Sequence, residues 1–257
     1  MTWLDALILF VAGTAAGTIN TVVGSGSLIT FPALLALGYP PVLANVTNNV
    51  GVLPGSISGA IAYRRELKGQ WRGLLPLACS SAIGGLSGAL FLLVLPAAAF
   101  DMIVPVLIIG ACVLVVASPR LRIWALRRRT AMDARTGGKP APRVGLTTAT
   151  GLTGVYGGYF GAAQGVILLA ILSILLPGDL HRANAYKNVL AAVANAAAAV
   201  VFVFTTQVAW LAGGVIAIGA ILGGQIGASV GRRLPAVVYR AVIVLIGLAA
   251  VVYFYTK

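Results

Sequence analysis

Apolar residues fill this chain in long blocks, and polar positions fall between the blocks instead of alternating within them. Residues 73–95, 102–118, 144–178 and 188–231 contain no Asp, Glu, Lys or Arg. A helix needs about 20 such residues to cross a hydrocarbon core of about 30 Å. The pattern predicts ordinary spans at 44–63, 73–95, 99–118, 183–204, 209–230 and 236–256. Two longer apolar segments, 5–38 and 144–178, are broken by small and polar residues, "NTVVGSGS" in the first and "YGGYFGAAQG" in the second. Unbroken helix of about 34 residues would be ~50 Å long, well beyond one core thickness. Non-helical backbone at membrane depth is tolerated where protein or a water-filled cavity satisfies its polar groups.

The elements repeat. A shift of 139 residues lays Gly26 on Gly165, Ala44 on Ala183, Asn45 on Asn184, Asn49 on Asn188 and Trp71 on Trp210. The same register lays Gly84, Gly85 and Gly88 on Gly223, Gly224 and Gly227, and Pro96 on Pro235. Small residues coincide by chance in such a composition; a Trp, a GGxxG and a Pro in one register do not. The chain therefore divides into a first membrane repeat, 1–118, a basic linker, 119–143, and a second membrane repeat, 144–257.

Charge decides how the broken segments run. If each crosses once, a repeat has four crossings and both copies face the same way. If each is a re-entrant hairpin of two half-helices, a repeat has three crossings and the second copy is inverted. Arg64, Arg65, Lys68 and Arg72 share a side with the linker, whose eight basic residues mark the cytoplasm. The hairpin arrangement adds Arg182, Lys187, Arg232, Arg233 and Arg240 to that side, and leaves only Lys257 outside with the two termini. The expected fold is an all-α polytopic membrane protein of two inverted repeats, each a broken helical hairpin plus three transmembrane helices. Broken helices in inverted repeats are a transporter architecture.

Composition agrees: 60% of residues are hydrophobic, 9% are charged, and the mean hydropathy is +1.00. A soluble domain carries about 25% charged residues. The net charge of +13 is explained by topology signals, so no nucleic-acid partner is expected. The start "MTWLDALILF" lacks the basic region of a cleavable signal. Cys79 and Cys112 lie within predicted helices and have neither disulfide nor metal-site spacing. No metal or cofactor is expected. The expected location is the cytoplasmic membrane of the cell, and the oligomeric state stays open.

Several stretches, in order, resemble the sulfite exporter TauE/SafE family, also called the toluene-sulfonate uptake permease family. They are "GSGSLITFP" (24–32), "ANVTNN" (44–49) and "NAYKNVLAAVANAAAAVVF" (184–202), then Trp210, Gly223, Gly224 and Gly227, and Leu234-Pro235. The resemblance covers nearly the whole chain outside the linker. One departure is the first glycine cluster, with Ser25 and Ser27 where family members often have Gly. The resemblance implies an exporter or permease for sulfur-containing anions such as sulfite or organosulfonates.

An anion in low dielectric needs hydrogen-bond donors and positive potential, which a helix N-terminus supplies. Ser25, Gly26 and Ser27 fit in the first break, Gln164 and Gly165 in the second; close helix packing through small residues is the competing explanation. Lys187 replaces Asn48 of the first copy, one turn into a span. A lysine near membrane depth costs roughly 2.5–3.5 kcal/mol on insertion scales, which makes it the sharpest candidate; the alternative is that it snorkels to the interface. Thr47, Asn48, Asn49, Asn184, Asn188 and Asn195 flank the breaks and are expected either to bind oxyanion oxygens or to bond helix to helix. Asp5, Glu66, Asp101, Asp133 and Asp179 all fall near termini, loops or span ends, which supports neither a Na⁺ site nor a carboxylate proton relay. Lone His181 is read as interfacial. The run "RIWALRRR" (122–129) is read as topology signal or a contact to anionic lipid heads. The preferred function is a secondary transporter, with an anion channel as the near alternative. An intramembrane enzyme is disfavoured by the lack of paired carboxylates and by the single His.

Overall fold

The computed structural model describes residues 1–136, 143–176, 180–229 and 236–256. They form α1 (Trp3–Val22), α2 (Ser27–Ala36), α3 (Pro41–Ala62), α4 (Trp71–Val94) and α5 (Ala97–Thr136), then α6 (Arg143–Tyr159), α7 (Gln164–Leu175), α8 (Leu180–Thr205), α9 (Trp210–Ser229) and α10 (Ala236–Thr256). No strand occurs among the described residues. Several of the helices are long and apolar enough to cross a membrane, and the chain is an all-α polytopic membrane protein.

Local signals set the helix ends. Thr2 and Asp5 form a capping box at the start of α1. Pro41 begins α3 at a position where its missing N–H costs nothing. Large apolar side chains point outward: Phe204 is 83% exposed and Val94 81%. The interior also holds large side chains such as Phe31, Phe100, Tyr186 and Phe202, but where helix backbones cross closely the contacts are made by small residues.

Glycines bring the helix backbones together. A Cβ on Gly13 would lie 2.6 Å from the carbonyl oxygen of Ile216, and one on Gly51 would lie 3.1 Å from the carbonyl oxygen of Gly213. Gly17 and Gly55 meet Ala220 one turn later, so α1, α3 and α9 run parallel. Gly13 and Gly51 flank the same residue, Ile216, and each lies ten residues after its helix start, ~15 Å of rise. α1 and α3 therefore begin at the same depth, and the chain from Val23 to Pro40 returns to the side on which α1 started.

The second copy behaves likewise. Gly154 meets Ser81, the Ser81 hydroxyl donates to the Leu190 carbonyl at 2.7 Å, and Gly85 meets both Gly158 and Ala194. Helices α4, α6 and α8 thus run parallel to one another, and α6 and α8 begin at matching depth. Their direction is opposite to that of α1, α3 and α9: Asn45 at the start of α3 bonds Tyr159 at the end of α6, and Asn184 at the start of α8 bonds Thr21 at the end of α1.

Two features differ from the sequence-based expectation. The arms of each broken segment are unequal, 20 and 10 residues in the first and 17 and 12 in the second. The leading arm is no half-helix; α1 alone is ~30 Å long. Second, α5 runs past the end of the expected span 99–118 to Thr136, so much of the linker is helical. Pro119 leaves the Val115 carbonyl without its usual amide donor, and the Ser118 hydroxyl supplies one at 2.7 Å. The Ala-, Leu- and Arg-rich sequence beyond Pro119 has high helix propensity. Asp179, Arg232, Arg233 and Pro235 lie outside the described residues.

Candidate functional site

The two breaks touch. Helix α1 ends in a left-handed turn at Gly24 (φ 88°), whose N–H donates to the Ile19 carbonyl at 3.1 Å. Helix α6 ends at Tyr159, and Gly161 and Ala163 take positive φ before α7 starts. The Gly165 N–H then donates to the Gly24 carbonyl at 3.0 Å.

Side chains from the other repeat cap the arms that lead into these turns. The Lys187 ammonium donates to the carbonyls of Asn20 (3.1 Å) and Thr21 (3.2 Å). The amides of Asn184 and Asn188 reach the same Thr21 carbonyl, both at 3.5 Å. At the equivalent end of α6, the Asn45 amide donates to the Tyr159 carbonyl at 2.9 Å. A cation at a helix C-terminus is favoured by the partial negative charge there. Lys187 is 1% exposed, so it does not snorkel, and it pairs with no carboxylate among the described residues. An ammonium has three donors. Two are used.

Buried polar groups without partners lie in the two breaks and on the helices α3 and α8. The Ser25 hydroxyl and the Gln164 amide nitrogen are buried and make no hydrogen bond, and neither do the side-chain oxygens of Asn49, Asn184 and Asn195. Ser25 adjoins Gly24 and Gln164 adjoins Gly165, so both sit at the contact between the breaks. At the start of α2, Gly26 occupies the cap position with no side-chain hydrogen bond, and the N–H groups of Ser25, Gly26 and Ser27 find no acceptor among the described residues. Leaving a buried donor unpaired costs about 1–3 kcal/mol. The Ser25 hydroxyl, the Gln164 amide nitrogen and the N–H groups at the start of α2 are donors of the kind an anion accepts from, whereas the three asparagine oxygens are acceptors.

The remaining candidates have structural occupations. A Cβ on Gly26 would lie 2.9 Å from the Ala16 carbonyl carbon and 3.0 Å from the Asn20 Cβ, so its small size serves the packing of α2 on α1. Gly165 spends its N–H on Gly24. Thr47 accepts from the Ala209 N–H at 3.1 Å and caps α9. The Asn48 side-chain oxygen accepts from the Thr30 hydroxyl. Ser27 is half-buried at the first turn of α2. Asn195 has its side-chain oxygen near Gly161, at the second break. Asn20, Thr21 and Gly24, which the sequence marks as part of the break but not as binding candidates, act through backbone atoms, and Asn45 likewise was not among the candidates. The register of the repeat, which lays Asn45 on Asn184, was the available signal for the last.

Basic side chains gather at one end of the bundle. Arg182 donates to the Gln70 side-chain oxygen and stacks over the Tyr186 ring at 5.7 Å, and Gln70 stands between Lys68 and Arg72. Arg240 and Arg122 line one groove.

Apolar helices around a closed polar centre, with two broken segments meeting there, define the class: a polytopic helical membrane transporter. Residues 9–254 match the family described as Sulfite exporter TauE/SafE, and the chain belongs to that family. It is 30% identical over 241 residues to "Probable membrane transporter protein ORF9" of Sinorhizobium sp, covering 94% of this chain and 88% of the relative. It is 31% identical over 221 residues to "Probable membrane transporter protein YfcA" of Escherichia coli K12, covering 86% and 78%. A protein of Haemophilus influenzae with the same general description is 29% identical over 221 residues, covering 86% and 83%.

Proposed function

We propose that this chain is a secondary carrier for small sulfur-containing oxyanions, such as sulfite or organosulfonates, and that it exports them across the cytoplasmic membrane. One observation supports the reading: the buried Lys187 ammonium pairs with no carboxylate among the described residues and caps the arm that leads into the first break. The unpaired donors of Ser25 and the α2 N-terminus follow in that break, and unpaired Gln164 precedes Gly165, which bonds Gly24. A sulfonate or sulfite group presents up to three oxygens and a negative charge to such a centre. The family's description supports the sulfur chemistry.

Two inverted repeats would let the centre open alternately to either side by rocking one hairpin against the other. The basic end of the bundle belongs in the cytoplasm by the positive-inside rule. An inside-negative potential then drives anion efflux, at about 2.3 kcal/mol per charge per 100 mV. The test is counterflow in proteoliposomes with sulfite, thiosulfate and a panel of sulfonates. Saturable counterflow of at least one sulfur oxyanion, abolished in Lys187→Gln, is the expected result. Conductance without counterflow would make the protein a channel, and no flux of any sulfur oxyanion would overturn the substrate class.

A further inference from the structure

Beside the first break, and separate from the buried centre, a groove of about 380 Å³ opens between the end of α1, the extended part of α5, α7 and the start of α10. Its walls are mostly aliphatic. Its polar atoms belong to two serines and two arginines. Ser118 donates to the Val115 carbonyl and Ser173 to the Leu169 carbonyl, so both hydroxyls are occupied within their own helices. Arg122 and Arg240 are different: neither guanidinium bonds to any described residue, and among the described residues no carboxylate lines the groove. Arg122 comes into position because α5 continues past Pro119.

We propose that this groove binds an anionic glycerophospholipid, with the lipid phosphate between Arg122 and Arg240 and the first carbons of its chains along Val22, Leu121 and Leu169. Charge complementarity chooses the head group: two guanidinium groups without an acid match a phosphate diester, to whose oxygens guanidinium forms bidentate bonds, and disfavour a head group that carries a cation of its own. The aliphatic wall chooses the rest of the ligand, since a free inorganic anion gains nothing from it. The site lies at the basic end of the bundle, where head groups lie if that end faces the membrane surface. Its inner wall includes Val22 and Val23, the last residue of α1 and the first of the break, together with Val166 of α7. A bound lipid therefore braces the two elements that meet at Gly24 and Gly165. The inference does not depend on the identity of the transported anion.

The experiment compares purified wild type with the double variant Arg122→Gln/Arg240→Gln by thermal unfolding in detergent and by native mass spectrometry. Each protein is titrated with phosphatidylglycerol, with phosphatidylcholine and with inorganic phosphate. The expected result is that phosphatidylglycerol raises the wild-type Tm and is retained as a bound lipid. Phosphatidylcholine and phosphate should do neither, and the double variant should lose at least tenfold in phosphatidylglycerol affinity. Arg127→Gln, an exposed charge change on the same helix outside the groove, should leave the affinity within twofold of wild type. If the double variant does not fold, Arg122→Lys/Arg240→Lys keeps the charge and should bind with reduced affinity. Equal stabilisation by phosphatidylcholine, full retention of phosphatidylglycerol by the double variant, or an equal loss in Arg127→Gln would overturn the site. Stabilisation by phosphate alone would make it an oxyanion vestibule and overturn the lipid assignment.

Discussion

Gly24 and Gly165 are joined by a 3.0 Å hydrogen bond, and their backbones approach so closely that a Cβ on either would overlap the other's Cα. This contact fixes the distance between the two breaks, in which Ser25 and Gln164 each carry an unpaired buried group.

Gly38 offers an internal control for that contact. It has φ 86° and open space around a Cβ, whereas Gly24 has φ 88° and a Cβ there would lie 2.8 Å from the Gly165 carbonyl carbon. Gly38→Ala should cost only the left-handed strain, roughly 1–2 kcal/mol. Gly24→Ala should cost that plus the displacement of α7, with a clearly larger fall in Tm and loss of transport. Thermal unfolding of both variants in detergent checks the difference; equal shifts would mean that the breaks tolerate separation.

Lys187 has a structural and a proposed binding role, and two substitutions separate them. Gln retains a donor for the Thr21 carbonyl but no charge, so Lys187→Gln should fold with a Tm near wild type and bind the anion at least tenfold more weakly. Met removes both, so Lys187→Met should also lose about 1–3 kcal/mol through the uncapped end of α1. Wild-type anion affinity in Lys187→Gln, measured by titration calorimetry, would reduce this lysine to a helix cap.

Unpaired buried donors give an unusual sign. Ser25→Ala and Gln164→Met each remove a polar group that has no partner, so stability should hold or rise by up to about 1 kcal/mol. Transport should fall severalfold in the same proteins. A drop in Tm with transport intact would show that these groups serve the fold.

The basic end is open to chemical labelling. On a background lacking Cys79 and Cys112, single cysteines at Ala134, near the end of α5, and at Gln207, between α8 and α9, should react with membrane-impermeant reagents from opposite faces. Residue 134 should be the cytoplasmic one. Labelling of both from one side would contradict the direction in which α8 runs relative to α5.

Much of this arrangement was legible in the chain because its signals are local. The small-residue clusters at 24–27 and 157–165 mark the breaks, and a lysine among asparagines at 184–188 stands out within an apolar block. Partner choice was not legible. That Gly26 would be consumed by Ala16, or the Gly165 N–H by Gly24, depends on backbones meeting in space, and a glycine looks the same in a packing groove and at a ligand. The unequal arms were hidden for a similar reason: hydropathy gives the length of 5–38 but not the point at which it turns. The extension of α5 was obscured by charge, since an arginine-rich stretch reads as solvated whether it is helix or loop.

The exchange of partners between the repeats has a consequence for how the protein is made. Each leading arm packs chiefly on the fourth helix of the other copy, α1 on α9 and α6 on α4. Gly13 and Gly17 of α1 meet Ile216 and Ala220, about 200 residues further along the chain. At a synthesis rate of ~5–20 residues per second, α1 leaves the ribosome roughly 10–40 s before its partner does. During that interval its glycine face is bare, and until Lys187 is translated the Asn20 and Thr21 carbonyls are uncapped as well. Helix α4 has no such wait of its own making, since α6 follows within about 70 residues, some 3–14 s at the same rate. The contact of α4 with α6 can therefore form before that of α1 with α9, which leaves α1 the last arm to find its seat.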